Sequence, residues 1–370
     1  MSVHDRVRPS LAGLAAYHLP PVRAEVKLDA NESPYPPDPA LLAAFAEAVR
    51  TAPFERYPDP QASRVRELIA RDVGRPGDWL VLGNGSDELI TLLCQTFAAP
   101  QQDGSPGVVA WPAPSFVVYK TAALAAGLDV AEPLLGPRFS PDPEAAHAVL
   151  SARRPNLFFL ATPNNPTGTE WPRATIEALL TAHPETLFII DEAYVAYGRD
   201  SHLDLLDRFE NCAILRTWSK IGLAALRLGF LVARPALAAE VEKVRSPYNL
   251  GLLPQLAAEL ALGPFRHTLD SGVAEVIAER EKLFAALSEV PGVEAFPSGA
   301  NLILIRVKDA QRLWQRLLAQ SVLVRNLDRP GPLAGCLRVT VGTPPENARF
   351  LAALHNAMND VAGAADRAFP

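Results

Sequence analysis

Ala213-Ile214-Leu215-Arg216-Thr217-Trp218-Ser219-Lys220, with Arg227 on the Gly/Ala/Leu-rich turn beyond it, is the stretch on which the reading of this chain turns. Its short apolar run predicts a strand, and the strand's C-terminal end delivers a hydroxyl, an amine and then a guanidinium. A lysine desolvated in such a setting is a competent Schiff-base nucleophile. Ser219 and Arg227 are placed to hold an anion, most simply a phosphate. Alone, a Ser-Lys pair after a strand is more often a solvated strand end. The rest of the chain has to decide.

Two further segments do so. Phe188-Ile189-Ile190-Asp191-Glu192-Ala193-Tyr194 is an apolar strand ending in an acid. Pro163-Asn164-Asn165-Pro166-Thr167-Gly168 is a turn cluster after the strand Leu157-Phe158-Phe159-Leu160. Ligands of open α/β sheets bind just beyond the carboxyl ends of the strands, where all three segments place polar groups. A pyridoxal phosphate (PLP) site needs this set: a lysine for the Schiff base, and a carboxylate that keeps the pyridine nitrogen protonated so that the ring withdraws electrons. Asn165 and Tyr194 can hydrogen-bond the 3′-oxygen.

Composition fits an enzyme of ordinary type. A chain of 370 residues exceeds one small core, so a large and a smaller domain are expected. Acids outnumber Lys and Arg 41 to 35, a net charge of −6, which gives no reason to expect nucleic acid or anionic membrane as partner. Cys94, Cys212 and Cys336 are far apart and form no CxxC pair, so neither a disulfide framework nor a metal site is indicated. The start lacks the apolar core of a signal peptide, and no apolar run approaches the ~18 residues that span a bilayer. A cytoplasmic location is expected.

Along the chain, helical patterning at Leu41–Arg50 and Ser63–Val73 precedes strand-like runs at Leu80–Leu82, Val108–Trp111, Leu157–Ala161, Leu187–Ile190, Ala213–Thr217 and Leu228–Ala233. Their alternation with helices predicts a largely parallel sheet covered on both faces. After about Pro264 a long helix (Gly272–Leu287) and strands at Leu302–Val307, Val322–Arg325 and Leu337–Val341 predict an α+β unit. The expected division is 1–40, a segment joining the small domain; 41–264, the large domain; and 265–370, the small one. Gly83-Asn84-Gly85-Ser86-Asp87-Glu88 opens a helix, Leu89–Phe97. Its amides can cradle a phosphate, while Ser86 is equally a plain N-cap. Phe116 can stack on a pyridine ring or sit in the core.

With these motifs in place the chain resembles the fold-type-I PLP-dependent aminotransferases, from Leu28-Asp29-Ala30-Asn31-Glu32-Ser33-Pro34-Tyr35 to Leu337-Arg338-Val339-Thr340-Val341-Gly342-Thr343. The resemblance implies an α/β fold with a mainly parallel seven-stranded sheet between helices, plus a smaller α+β domain. It implies that Lys220 forms the Schiff base and shuttles the proton, that Asp191 pairs with the pyridine nitrogen, and that Asn165 and Tyr194 contact the 3′-oxygen. Phe116 would stack on the ring, where the family more often has tyrosine. Gly85, Ser86, Asp87, Ser219 and Arg227 would hold the phosphate, with Tyr57 reaching in from the neighbouring subunit of a homodimer. Lys220 and Arg227 stand one residue closer than is usual in the family, and Trp218, Ser33 and Gly251 are less usual choices at their positions.

Within the family the chain looks like the branch that transaminates histidinol phosphate with 2-oxoglutarate in histidine biosynthesis. One pocket must then accept a phosphate dianion and afterwards glutamate's carboxylate, a task suited to two arginines because the guanidinium fork binds either group bidentately. Arg338 matches the general carboxylate-binding arginine and Arg325 the additional one for phosphate-bearing substrates, with Tyr17 covering the same site. An aromatic-amino-acid aminotransferase would use the same apparatus with Arg338 alone. A phosphothreonine decarboxylase would also want both arginines but would cleave a different bond. A non-catalytic PLP-sensing module of a DNA-binding regulator would carry a basic domain ahead of the lysine motif, and this chain does not.

Overall fold

The computed structural model describes residues 2–12, 14 and 22–365. Twelve strands run in chain order: β1 (Val26–Leu28), β2 (Leu80–Asn84), β3 (Val108–Ala110), β4 (Asp129–Ala131), β5 (Leu157–Ala161), β6 (Leu187–Asp191), β7 (Cys212–Thr217), β8 (Leu228–Ala233), β9 (Glu294–Ala295), β10 (Leu302–Arg306), β11 (Val322–Asn326) and β12 (Cys336–Thr340). Seven form one sheet, in the order β2-β8-β7-β6-β5-β3-β4. Only β8 runs against its neighbours. The expected mainly parallel sheet is present.

Continuous apolar runs form its centre because helices cover both faces. Successive side chains point to opposite faces, so each strand feeds two cores. Phe158, Leu160, Phe188 and Ile190 pack into one cluster. Leu157, Phe159, Leu187 and Ile189 pack into the other. All five residues of β5 and all five of β6 are buried, Asp191 included.

The second sheet has the order β1-β11-β12-β10-β9. β1, from the N-terminal segment, pairs in parallel with β11, while β11 and β10 flank β12 antiparallel. The long helix spans Arg266–Ser288, beginning six residues before the expected Gly272 because its polar first turn hides the periodicity. It serves both cores: Leu269 and Val276 join the large-sheet cluster, Leu283 and Leu287 the small-sheet one. No described helix is long and apolar enough to cross a membrane.

Two glycines report how tightly these parts meet. A Cβ on Gly229, in β8, would lie 2.5 Å from the carbonyl carbon of Gly85 and 2.6 Å from the amide nitrogen of Ser86. Strand and helix start therefore touch backbone to backbone. Gly272, inside the long helix, would meet only Tyr35 at 3.5 Å. Gly229→Ala is therefore expected to destabilise the protein by about 1–3 kcal/mol through overpacking, and Gly272→Ala to stabilise it by about 0.5–1 kcal/mol. Denaturant unfolding of the two variants checks the opposite signs.

Candidate active site

Strands β5, β6 and β7 end side by side, and the loops leaving them enclose one pocket. Its lining contains Ser86, Asp87, Phe116, Asn165, Asp191, Tyr194, Ser219, Lys220 and Arg227. Parallel strands aligned in register bring Ala161 opposite Asp191 and Asp191 opposite Leu215. Residues dozens of positions apart in sequence thus share one rim.

The carboxylate sits deepest. Asp191 Oδ2 accepts from the Tyr119 hydroxyl at 2.5 Å and Oδ1 from the Ala193 amide at 3.0 Å. Burial pushes this carboxyl up to about 6 against those two hydrogen bonds, and the charges of Asp87 and Glu192 add to the rise. Tyr119 is itself fully buried, stacked on Phe159 at 4.5 Å and flanked edge-on by Phe116. Tyr119 carries no signal in the sequence, because a tyrosine on a helix's apolar face looks like core. Beside Asp191, burial would raise the Glu192 carboxyl, but bonds from His202 and the charge of Arg216 hold it below the usual range. That cluster pins the loop leaving β6.

Lys220 lies in a single 3-10 turn (Ser219–Ile221) after β7, its Nζ 5.8 Å from the centre of the Tyr194 ring. The short connection to Arg227 closes through a second such turn (Ala224–Leu226), with Gly222 at φ 112° and Arg227 at φ 51°. Trp218 is buried beneath it, and the Arg266 guanidinium stacks over the indole at 4.6 Å. The unusual tryptophan therefore clamps the lysine turn to the long helix.

An anion cradle forms nearby. The helix Gly85–Thr96 starts at Gly85 with Asn84 at its cap position and no side-chain cap. Ser86 is thus inside the first turn, not the N-cap the sequence allowed. Glu88 reaches back to accept from the Asn84 amide at 2.6 Å, which satisfies that donor in place of a side-chain cap. The Arg227 guanidinium donates to Asp87 at 2.9 Å and to the Ser219 hydroxyl at 3.5 Å. A Cβ on Gly85, at φ 73°, would stand 2.7 Å from that guanidinium. Glycine keeps the cradle open.

Asn164 and Asn165 divide their work. Asn164 is buried and ties the Phe116 turn in place, donating to the Pro114 carbonyl at 2.9 Å and accepting from Ser115 at 2.6 Å. Asn165 lines the pocket, and its Oδ1 accepts from Arg338 Nη1 at 2.6 Å, which leaves Nδ2 as its donor. Arg338 also donates to the Asp29 carbonyl at 2.5 Å. Arg325 is the register partner of Arg338 on β11, and among the described residues its guanidinium makes no hydrogen bond or ion pair. Tyr57 does not line this pocket: it is 80% exposed and stacked on Tyr248 at 4.6 Å. Tyr17 lies outside the described residues.

The donor set fits pyridoxal phosphate: an amine, a buried carboxylate with no ion-pair partner among the described residues, a cradle kept open by glycine, an aromatic face and a polarised amide. In the cofactor-free protein the raised Asp191 pKa carries a sign. The unfolded carboxyl ionises first, so folding loses stability as pH rises from about 4 to about 6 and keeps that cost above. Asp191→Asn should then be the more stable cofactor-free protein above pH 6, by on the order of 2–3 kcal/mol. The difference should vanish below about pH 4. Thermal unfolding of both proteins across this range checks it.

The aminotransferase class I and II family matches residues 23–354 of this chain. Histidinol-phosphate aminotransferase 1 of Burkholderia lata is 39% identical over 356 residues, covering 96% of this chain and 98% of that protein. Histidinol-phosphate aminotransferase 2 of Nitrosococcus oceani is 40% identical over 352 residues, covering 94% and 96%. The solved structure of histidinol-phosphate aminotransferase from Sinorhizobium meliloti, in complex with pyridoxal-5′-phosphate, aligns with a TM-score of 0.85 at 22% identity, covering 96% and 98%; at that identity the likeness concerns the fold. A family match over most of the length, relatives near 40% identity, and this fold around a lysine and a buried carboxylate lead to one conclusion: the chain belongs to the class I and II aminotransferases.

Proposed function

We propose that this enzyme transfers the amino group of L-histidinol phosphate to 2-oxoglutarate, giving imidazole-acetol phosphate and L-glutamate, the transamination step of histidine biosynthesis. The observation that carries the reading is the pairing of Arg325 and Arg338 across β11 and β12, with Arg338 bonded to Asn165 in the pocket. Two guanidinium forks suit a phosphate dianion and, in the second half-reaction, a carboxylate. The names of the relatives near 40% identity support the same substrate.

Pyridoxal phosphate supplies an aldehyde that condenses with amines and a ring that withdraws electrons from the carbon bonded to them. The chain's residues would do the rest. Lys220 would anchor the cofactor and, once displaced by the substrate amine, move a proton at its Nζ. Asp191 would hold the pyridine nitrogen protonated. Asn165 and Tyr194 would donate to the 3′-oxygen, and Phe116 would cover the ring. Gly85, Ser86, Asp87, Ser219 and Arg227 would bind the phosphate. Since the Asp87 carboxylate already pairs with Arg227, its part would be a backbone N–H and the aim of that guanidinium.

We propose further that the enzyme works as a homodimer in which Tyr57 completes the partner's phosphate site. Phe54 (63% exposed) and Tyr57 support this as surface that an assembly covers. As domains we propose 41–264 and 265–370, with 1–40 joining the smaller and the long helix serving both cores.

Arg325→Ala should impair the half-reaction with histidinol phosphate far more than the one with glutamate. One charge-assisted hydrogen bond is worth about 1.5–3 kcal/mol, a ten- to hundred-fold loss on the phosphate side. Arg338→Ala should impair both. Single-turnover absorbance changes read each half-reaction. Equal effects of Arg325→Ala on the two substrates, or wild-type preference for phenylalanine, would favour an aromatic aminotransferase; loss of CO₂ from phosphothreonine would favour the decarboxylase. Mixing inactive Lys220→Ala subunits with impaired Tyr57→Ala subunits should restore activity, because one site of each hybrid receives both intact residues. Hybrids that form yet stay inactive would rule out the shared site.

A further inference from the structure

Tyr194 and Asn165 can act on the cofactor's 3′-oxygen only as donors, so what stands behind each one matters. Behind Asn165 is Arg338, which has nothing but protons to offer. Behind Tyr194 is Asn31, 163 residues away in sequence, whose Nδ2 lies 2.8 Å from the Tyr194 hydroxyl. Asn31 is 1% exposed and held at φ 55°, a left-handed conformation that asparagine tolerates better than most residues.

The direction of the Asn31–Tyr194 bond follows from its neighbours. The Asn31 backbone N–H donates to Thr340 Oγ1 at 2.9 Å. That hydroxyl passes its own proton to Asn31 Oδ1 at 3.2 Å. With Oδ1 thereby fixed as acceptor, Nδ2 faces Tyr194 and donates. Buried Asn301 locks the same residue from the other side, donating to the Asn31 carbonyl at 3.1 Å. The Tyr194 hydroxyl accepts here, and among the described residues its proton has no acceptor, although the residue lines the pocket.

We infer that Asn31 is a positioning residue that turns the Tyr194 hydroxyl proton into the pocket, so that the small sheet sets the polarity of the cofactor site. Arg338 and Thr340 lie two apart on β12 and share a face. One strand therefore backs both donors: Asn165 directly, Tyr194 through Asn31. The inference rests on the assignment of Tyr194 to the 3′-oxygen made above. Among the described residues, the ionisable groups acting on Tyr194 are Lys220, with its Nζ over the ring, Tyr119 and Tyr197, while Asp87, Asp191 and Arg227 line the same pocket.

Asn31→Asp reverses one atom. It keeps both bonds to Thr340 but replaces the Nδ2 donor with an acceptor, so Tyr194 must donate backwards. Asn31→Gly keeps the backbone freedom and removes the donor. A donor at the 3′-oxygen favours its anionic form, so losing one raises the pH at which the bound chromophore loses its proton. The test is a spectrophotometric pH titration of the cofactor-loaded wild type, Asn31→Gly, Asn31→Asp, Tyr194→Phe and the double variant Asn31→Asp/Tyr194→Phe, with cofactor affinity measured alongside. Tyr194→Phe and Asn31→Asp should each raise the apparent pKa by about one unit, Asn31→Gly less. In the Tyr194→Phe background Asn31→Asp should add little. A full additional shift there would mean that the new carboxylate acts by charge alone, and would overturn the inference. So would unchanged Asn31 variants beside a shifted Tyr194→Phe. An unshifted Tyr194→Phe would overturn the placement of Tyr194 and the role of Asn31 with it.

Discussion

A carboxylate with no ion-pair partner among the described residues, at the end of a strand buried along its whole length, is the constraint around which this structure is organised. Asp191 keeps both oxygens hydrogen-bonded, to Tyr119 and to the Ala193 amide, yet burial still holds its pKa near 6. Beside it Tyr119 stacks on Phe159 and meets Phe116 edge-on, so the carboxylate's surroundings are largely apolar. What remains is a buried negative charge that the proposed pairing with a protonated pyridine nitrogen would offset. The cofactor-free protein would thereby be less stable than one with a neutral residue there, and binding of a cationic group would recover part of the difference.

The rest of the molecule serves to hold complementary groups at fixed distances from that carboxylate. Parallel strands align their ends, the Gly85–Gly229 contact brings a helix start against the sheet, and Trp218 under Arg266 fixes the lysine turn to the long helix. The small sheet backs two residues of the pocket lining. Through Arg338 and Thr340, β12 reaches Asn165 and Asn31, and its neighbour β11 adds Arg325. In the proposed reading, recognition of the substrate anion and polarisation of the cofactor's surroundings would both be backed by β12, through Arg338 and Thr340 two residues apart.

Strand positions were legible because strands buried on both faces must be continuous apolar runs, and β5 and β8 coincide with theirs. The reversal of β8 was not legible, since an antiparallel strand inside the sheet is as apolar as a parallel one. The helix at Gly85 begins earlier than its apolar residues suggest, because its first turn is given over to Ser86, Asp87 and Glu88. Around the pocket, residues whose chemistry is distinctive could be named in advance: Lys220, Asp191, Asn165, Arg227. Those that act by supporting them could not. Tyr119 is indistinguishable from core without knowing what its hydroxyl meets. Asn31 acquires its meaning only from a contact with Tyr194, 163 residues away. The facing of Arg325 and Arg338 depends on strand register, which no local pattern encodes.

The most direct test of the account is covalent trapping. Reduction of the cofactor-loaded enzyme with sodium borohydride, followed by peptide mass mapping, locates the lysine that holds pyridoxal phosphate. The account predicts a single pyridoxyl-phosphate adduct on the peptide containing Lys220, lost when the enzyme is first converted with excess histidinol phosphate. An adduct on another lysine, or none at all, would contradict it.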